Sequence, residues 1–185
     1  MKKTITAALT CAILLVSGAA ALANLPALPA LKQPVLMTPF GQSQDANAVN
    51  LMARPYQVEC NMTVTADDVD WSAFKTMIVV IGGSDKGLDA AGLDTESELA
   101  RCRALIKAAR EHGVYVLAMH VGGKDRRAPN SEPFLGFAGD ADYMIVRSDG
   151  DADDYFSNLC AKKKVPLYPI ESTSELRQLF PQMMR

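Results

Sequence analysis

The chain has 185 residues, 49% hydrophobic and 22% charged, with a formal net charge of −2. At roughly 100–200 residues per domain this length suggests one domain and excludes a multidomain machine. No lysine and arginine surplus exists to neutralise phosphates, which excludes an obvious nucleic-acid binder, and the apolar fraction excludes a wholly disordered chain.

Residues 1–23 read as an export leader. Lys2 and Lys3 form a basic start, and residues 7–16 are apolar apart from Thr10. That run has the length of a signal core and is too short to span a bilayer. Ser17, Gly18, Ala19 and Ala20 follow, and Ala21-Leu22-Ala23 offers a cleavage site before Asn24. The expectation is a periplasmic or secreted protein cleaved after Ala23, with no membrane span thereafter. Cys11 lies inside the apolar run and is not a lipid-attachment cysteine. Removing 23 residues, two of them lysine and none acidic, leaves 162 residues of net charge −4. A domain of that size buries about 70% of its unfolded surface and needs no staple to fold.

Residues 24–33, with two prolines, read as an extended linker, and residues 34–185 as a single α/β domain. Residues 34–38 are a short apolar run suited to a strand buried on both faces. Ser43 is a candidate N-cap for a helix to about Ala53, stopped by Pro55. Residues 57–64 have weak strand character. An acidic connector, 67–74, carries Trp71 as an anchor. The clearest element is the run 76–81, closed by Gly82 and Gly83. A long loop, 84–94, is expected next. Thr95-Glu-Ser-Glu98 then forms a capping box for a helix ended by Gly113. Residues 114–119 form a buried strand, 120–130 a glycine-rich polar loop, 131–137 a short helix and 143–146 a strand. Residues 151–164 form a helix, acidic at its start and basic at its end. A last strand, 165–170, precedes a final helix capped by Ser172 to Glu175.

Of the three cysteines after the leader, Cys102 and Cys160 fall on apolar helix faces as small core residues; a disulfide through Cys60 stays open. No C-x-x-C occurs, which argues against a thioredoxin-type site or a zinc knuckle. Strand–helix alternation with crossover-length helices predicts a three-layer, doubly wound, mostly parallel sheet, Rossmann-like or flavodoxin-like. The chain is too short for an eight-unit barrel.

Open parallel sheets bind ligands outside the carboxyl ends of their strands. Sorted by that rule, the polar, glycine-rich and cationic segments gather at one edge. Gln42 and Ser43 follow the first strand. Gly82, Gly83, Ser84, Lys86 and Gly87 follow the run 76–81. His120, Gly122, Gly123, Arg126 and Arg127 follow the next strand, and Arg147 the one after. The expectation is a pocket for a small anionic ligand, a carboxylate or phosphate. Lys86, Arg126 and Arg127 would neutralise it, the glycines would supply close backbone, and Ser43, Ser84 and His120 would orient it. The competing reading has the glycines making turns and the arginines pairing with Asp125, Glu132 or Asp149. Glu98 and Arg101, one helical turn apart, read as a supporting ion pair.

Gly83-Ser84-x-Lys86-Gly87, Ala90-Ala91-Gly92, Glu98-x-x-Arg101 and His120-x-Gly122-Gly123-x-x-Arg126-Arg127, with Gly41-Gln42-Ser43, resemble a family of exported bacterial proteins of unknown function. The likeness covers most of the chain after the leader. It departs from the family pattern at Asp89 and Ala128, where glycine is expected, and at Pro133. The resemblance implies a shared site and names no reaction.

No dinucleotide fingerprint or P-loop is present, and no cofactor is implied. Lys86 stands where a G-x-S-x-G elbow needs its second glycine. Asp149-x-Asp151-x-Asp153 begins like a calcium loop, but Asp154 and Cys160 occupy its glycine and glutamate positions. Two alternatives remain. A hydrolase would use Ser84 as nucleophile, His120 as base and Asp149 as orienter, which requires a Ser84–His120 hydrogen bond. A non-catalytic partner of an envelope or transport complex requires a contiguous exposed apolar patch.

Overall fold

The longest apolar runs become strands sealed on both faces. In β1 (Val35–Phe40) and β3 (Thr76–Ile81) every residue is buried. Successive side chains point to opposite faces, so Met77, Val79 and Ile81 enter one core layer while Ile78 and Val80 enter the other. The computed structural model describes residues 25–184. The expected leader and its cleavage site lie outside them. Within them no helix is long and apolar enough to cross a membrane.

The elements run β1, α1 (Asp45–Ala53), β2 (Val58–Cys60), β3, α2 (Asp85–Ala91), α3 (Thr95–Glu111), β4 (Tyr115–His120), α4 (Glu132–Leu135), β5 (Tyr143–Arg147), α5 (Tyr155–Lys163), β6 (Leu167–Ile170) and α6 (Leu176–Met183). All strand pairs are parallel, in the order β2-β1-β3-β4-β5-β6. The sheet is doubly wound, in the flavodoxin-like sense, as the strand–helix alternation predicts. Helices α1 and α6 cover one face with Val49, Leu176 and Phe180. Helices α3 to α5 cover the other with Leu105, Phe134 and Phe156. Each such fully buried aliphatic or aromatic side chain contributes about 1.5–3 kcal/mol relative to exposure. Residues 26–32 form neither helix nor strand, and Leu31 is buried with its N–H donated to the Met183 carbonyl at 2.8 Å.

Four local expectations differ from the fold. The residue before α1 is Gln44, not the expected cap Ser43, although Ser43 Oγ accepts from Asp45 N at 3.1 Å. The stretch 84–94 is not all loop. Ser84 caps α2, its Oγ accepting from Gly87 N at 3.1 Å, and Gly92 ends that helix in the left-handed conformation. The cap of α3 is Asp94, which accepts from Ser97 N at 2.7 Å; Thr95 is already helical, and Glu98 turns inward instead of reaching back. The helix expected from residue 151 starts at Tyr155. Asp154 adopts φ 57°, and the Asp151 carboxylate accepts from Phe156 N and Ser157 N across that kink. Other expectations hold. The Ser172–Glu175 capping box forms, Trp71 is buried with its Nε1 donating to the Ala66 carbonyl, and Cys102 and Cys160 sit in the core. Among the described residues the three cysteines, Cys60 included, are free thiols.

Candidate functional site

The chain turns from β1 to β2 on one side and then crosses to β3 on the other, so the topological switch point lies between the carboxyl ends of β1 and β3. That crevice is filled by the protein itself. Gly41 and Gln42 take positive φ values of 97° and 59°, and Gln42 forms an isolated bridge to Gly83. Glu98, fully buried on α3, accepts from Gly41 N at 2.9 Å, from Gln42 Nε2 at 3.3 Å, and from Arg101 Nε and Nη2 at 2.7 Å each. Arg101 also donates to Thr38 Oγ1, the Val64 carbonyl and the Pro39 carbonyl. Burial opposes the Arg101 charge, but the hydrogen bonds and charge of Glu98 more than offset it, so its pKa lies above the ordinary value. Over Gly83 passes the 130–131 backbone, with Gly83 N donating to Ser131 Oγ at 2.8 Å. Gly87 abuts the Gln42 backbone as closely. Lys86 stands exposed on α2.

The expected site residues therefore separate into three neighbourhoods. Gln42, Gly83, Ser84 and Gly87 belong to the packed switch point. His120, Gly123 and Arg127 form a second group toward α5. There Arg127 donates to Asp153 through both Nη atoms at 2.8 Å and to the Gly150 carbonyl at 2.6 Å, and it stacks over Tyr155 and Phe156. The same bonds hold the Asp153 carboxyl down to about 2. The Arg127 Nε is the one buried side-chain polar atom without a partner among the described residues. Arg126, its chain neighbour, points the other way, toward α1. Its Nε donates to Asp45 Oδ2 at 3.0 Å, and Ser43 Oγ donates to the same oxygen at 2.7 Å. Gly82 packs on Ser43, and Gly122 lies against Arg126 and Asp45. The last residue of the 3₁₀ turn Gly123–Arg126 and the residue after it thus serve opposite faces of the sheet edge.

The third neighbourhood is open. A crevice of about 360 Å³ is lined by Asp45, Val121, Gly122, Asp125, Arg126, Arg147 and Thr173, with Ala48 at its rim. Arg126 uses only Nε within the protein; Nη1 and Nη2 make no hydrogen bond among the described residues. Arg147 gives Nε and Nη2 to Asp149 and keeps Nη1. A larger cavity, about 490 Å³, opens at the opposite sheet edge, where Arg110 spends both Nη atoms on Asp142 and the Asp140 carbonyl. Volume favours that cavity, and Lys163 and Lys164 on its lining make no ion pair among the described residues, but the smaller one presents guanidinium nitrogens that are unspent, the planar fork that suits two-point recognition of a carboxylate or phosphate. Of its lining, Asp45 and Thr173 were not singled out from the sequence. Both lie in the first turn after a strand at the carboxyl edge, which is the one signal that marks them.

His120 is fully buried, with Nδ1 3.0 Å from the Ile81 carbonyl oxygen and Nε2 3.3 Å from that of Gly123. Ser84 Oγ is engaged by Gly87 N, Asp149 by Arg147, and no hydrogen bond joins Ser84 to His120 among the described residues. The nucleophile–base–orienter arrangement is not assembled. Burial pushes the imidazole pKa below its ordinary 6.5, opposed by the two carbonyls. The folded chain therefore releases this proton more readily than the unfolded one. The stabilisation is present above about pH 6.5 and is lost as pH falls through the lowered value. Urea unfolding is expected to show stability falling from pH 7 to 5.5 by no more than about 1.4 kcal/mol per pH unit from one proton. His120→Gln should flatten that slope whatever its absolute stability. An equal slope in the variant would assign the dependence elsewhere.

Residues 32–184 match the family described as a domain of unknown function, DUF6305. Neither a curated protein nor a solved structure matches the chain.

Proposed function

We propose that this chain, which belongs to the DUF6305 family, is an exported, non-catalytic protein that binds a small anionic molecule in the crevice between α1 and the carboxyl ends of β4 and β5. The observation that carries the reading is Arg126: a part-exposed guanidinium lines the crevice with two nitrogens unspent. A carboxylate or phosphate would accept two parallel hydrogen bonds from such an edge. Arg147 adds a second charge, and Ala48, Val121 and Gly122 supply the apolar wall typical of small-molecule sites. Export rests on the leader read from residues 1–23. A docking role has less support, because Leu51 is the one large apolar side chain exposed among the described residues.

The test is a thermal-shift screen of small carboxylates and phosphates on the chain from Asn24 onward. A ligand at a hundred times its Kd stabilises by about 2.7 kcal/mol, worth about 5–11 °C in a domain of this size. Arg126→Ala should weaken the bound anion by about 10–100-fold, the value of a charge-assisted pair, without unfolding the protein. Arg127 is the wrong target for this test, since its removal strips Asp153, Tyr155 and Phe156 of their contact. No shift with any anion, or an undiminished shift in the Arg126 variant, overturns the assignment.

A further inference from the structure

The same crevice that presents two arginines also presents two aspartates. Asp45 spends Oδ2 on Ser43 and Arg126, while its Oδ1 accepts no hydrogen bond among the described residues. Asp125 is exposed and neither of its oxygens has a partner there. Both carboxylates line the crevice together with Arg147 and favour its charge. The lining carries two cations and two anions, and Asp149, paired with Arg147, adds a third carboxylate beside it, with unspent donors on one set and unspent acceptors on the other. A bare anion entering it would gain from Arg126 but face Asp45 and Asp125. A molecule carrying an ammonium beside its anionic group would meet an opposite charge at each end.

Resting on the binding reading above, we infer that the ligand is a small zwitterion, an amino-acid-sized molecule whose carboxylate or phosphate pairs with Arg126 and whose ammonium pairs with Asp45 and Asp125. The volume, about 360 Å³, is at the low end for ligand pockets and suits a molecule of that size. The aspartates then act in selection as well as attraction: they discriminate against simple dianions, which a purely cationic pocket would favour.

Matched probes separate the contributions. Alanine, propionate and ethylamine share a carbon frame and differ only in charged groups; phosphoethanolamine, ethyl phosphate and ethanolamine form the second set. Calorimetric titration at low salt is expected to show the zwitterion of at least one set binding about two- to fivefold tighter than its matched anion, the worth of a part-exposed ion pair. Asp125→Asn, which disturbs no hydrogen bond among the described residues, should remove most of that margin, by weakening the zwitterion and tightening the anion. Anions binding as tightly as their zwitterions would overturn the zwitterion inference and leave the anion reading standing. Amines binding as tightly as zwitterions would overturn it too. Failure of both sets, together with failure of the broader anion screen, would remove the binding site itself.

Discussion

Glu98→Gln is expected to destabilise the folded chain by about 3–5 kcal/mol, the cost of removing one partner from a buried ion pair. The substitution keeps the shape and an acceptor oxygen but leaves the Arg101 guanidinium charged and almost wholly enclosed. All five Arg101 N–H groups are committed, to Glu98 twice, Thr38, Val64 and Pro39, so the side chain cannot swing out to water without abandoning three anchors on β1 and its neighbouring loop. At about 2–4 °C per kcal/mol for a domain of this size, the melting temperature should drop by about 6–20 °C. A double-mutant cycle with Arg101→Met isolates the pair. The two losses should be strongly non-additive, with a coupling of about 1–3 kcal/mol, because the second removal takes away the charge the first left stranded. The double variant should not return to the parent stability, since the Val64 and Pro39 carbonyls still lose their donors. A change below about 1 kcal/mol in the urea-derived stability of Glu98→Gln would mean that β1 is held at its carboxyl end by something other than this network.

The network explains why the switch point carries no open pocket. A carboxylate from α3 reaches the backbone of the residue after β1, a position where other doubly wound sheets leave room for a ligand. Gly41 N, which could have faced a ligand, is spent on Glu98. The open crevice lies one strand further along, where the loop after β4 stands away from α1.

What the sequence discloses here divides by the range of the interaction. The parallel sheet is legible because the run from Met77 to Ile81 and its like are apolar without alternation, a pattern that burial on both faces produces. The gathering of polar loops at one edge follows from topology and needs no coordinates. Helix α2 is hidden because Gly87 and Asp89 interrupt a seven-residue element too short to show a period. Glu98 looks like a capping residue because Thr-x-x-Glu is the capping pattern; its partner Gly41 lies 57 residues away, beyond any local rule. The same limit applies to Arg126 and Arg127. Adjacent in sequence and alike in chemistry, they read as one cationic patch, and only the 3₁₀ turn that carries Gly123 to Arg126 sends them to Asp45 and Asp153 on opposite sides. Ion pairing of the arginines, weighed from the sequence as the alternative to a pocket, describes Arg127 with Asp153 and Glu132, and leaves Arg126 only partly engaged.

Gly83→Ala tests how that loop is fixed. A Cβ at residue 83 would sit 2.0 Å from the Asn130 carbonyl oxygen and 2.7 Å from Ser131 N, and both are backbone atoms that no rotamer change can move. The 130–131 segment must lift, and with it goes the bond from Gly83 N to Ser131 Oγ, whose hydroxyl is fully buried. Overpacking costs about 1–3 kcal/mol and an unmade buried hydrogen bond a further 1–3, so a total near 3–5 kcal/mol is expected in urea unfolding. Gly136→Ala supplies the matched control. That glycine has helical angles, φ −59° and ψ −25°, and open space where a Cβ would lie, so the same chemical change should be neutral or stabilise by up to about 1 kcal/mol. Opposite signs for one substitution at two glycines separate steric closeness from the general entropy of glycine, which both variants share. The consequence reaches the ligand crevice. The loop from Gly122 to Ser131 is tied at its start by Gly123 to His120 and at its end by Ser131 to Gly83, and Arg126 lies between these ties. Ligand affinity measured on folded Gly83→Ala protein should therefore fall while Gly136→Ala retains it. Equal stability of the two variants would show that the backbone over Gly83 yields freely and does not set where Arg126 points.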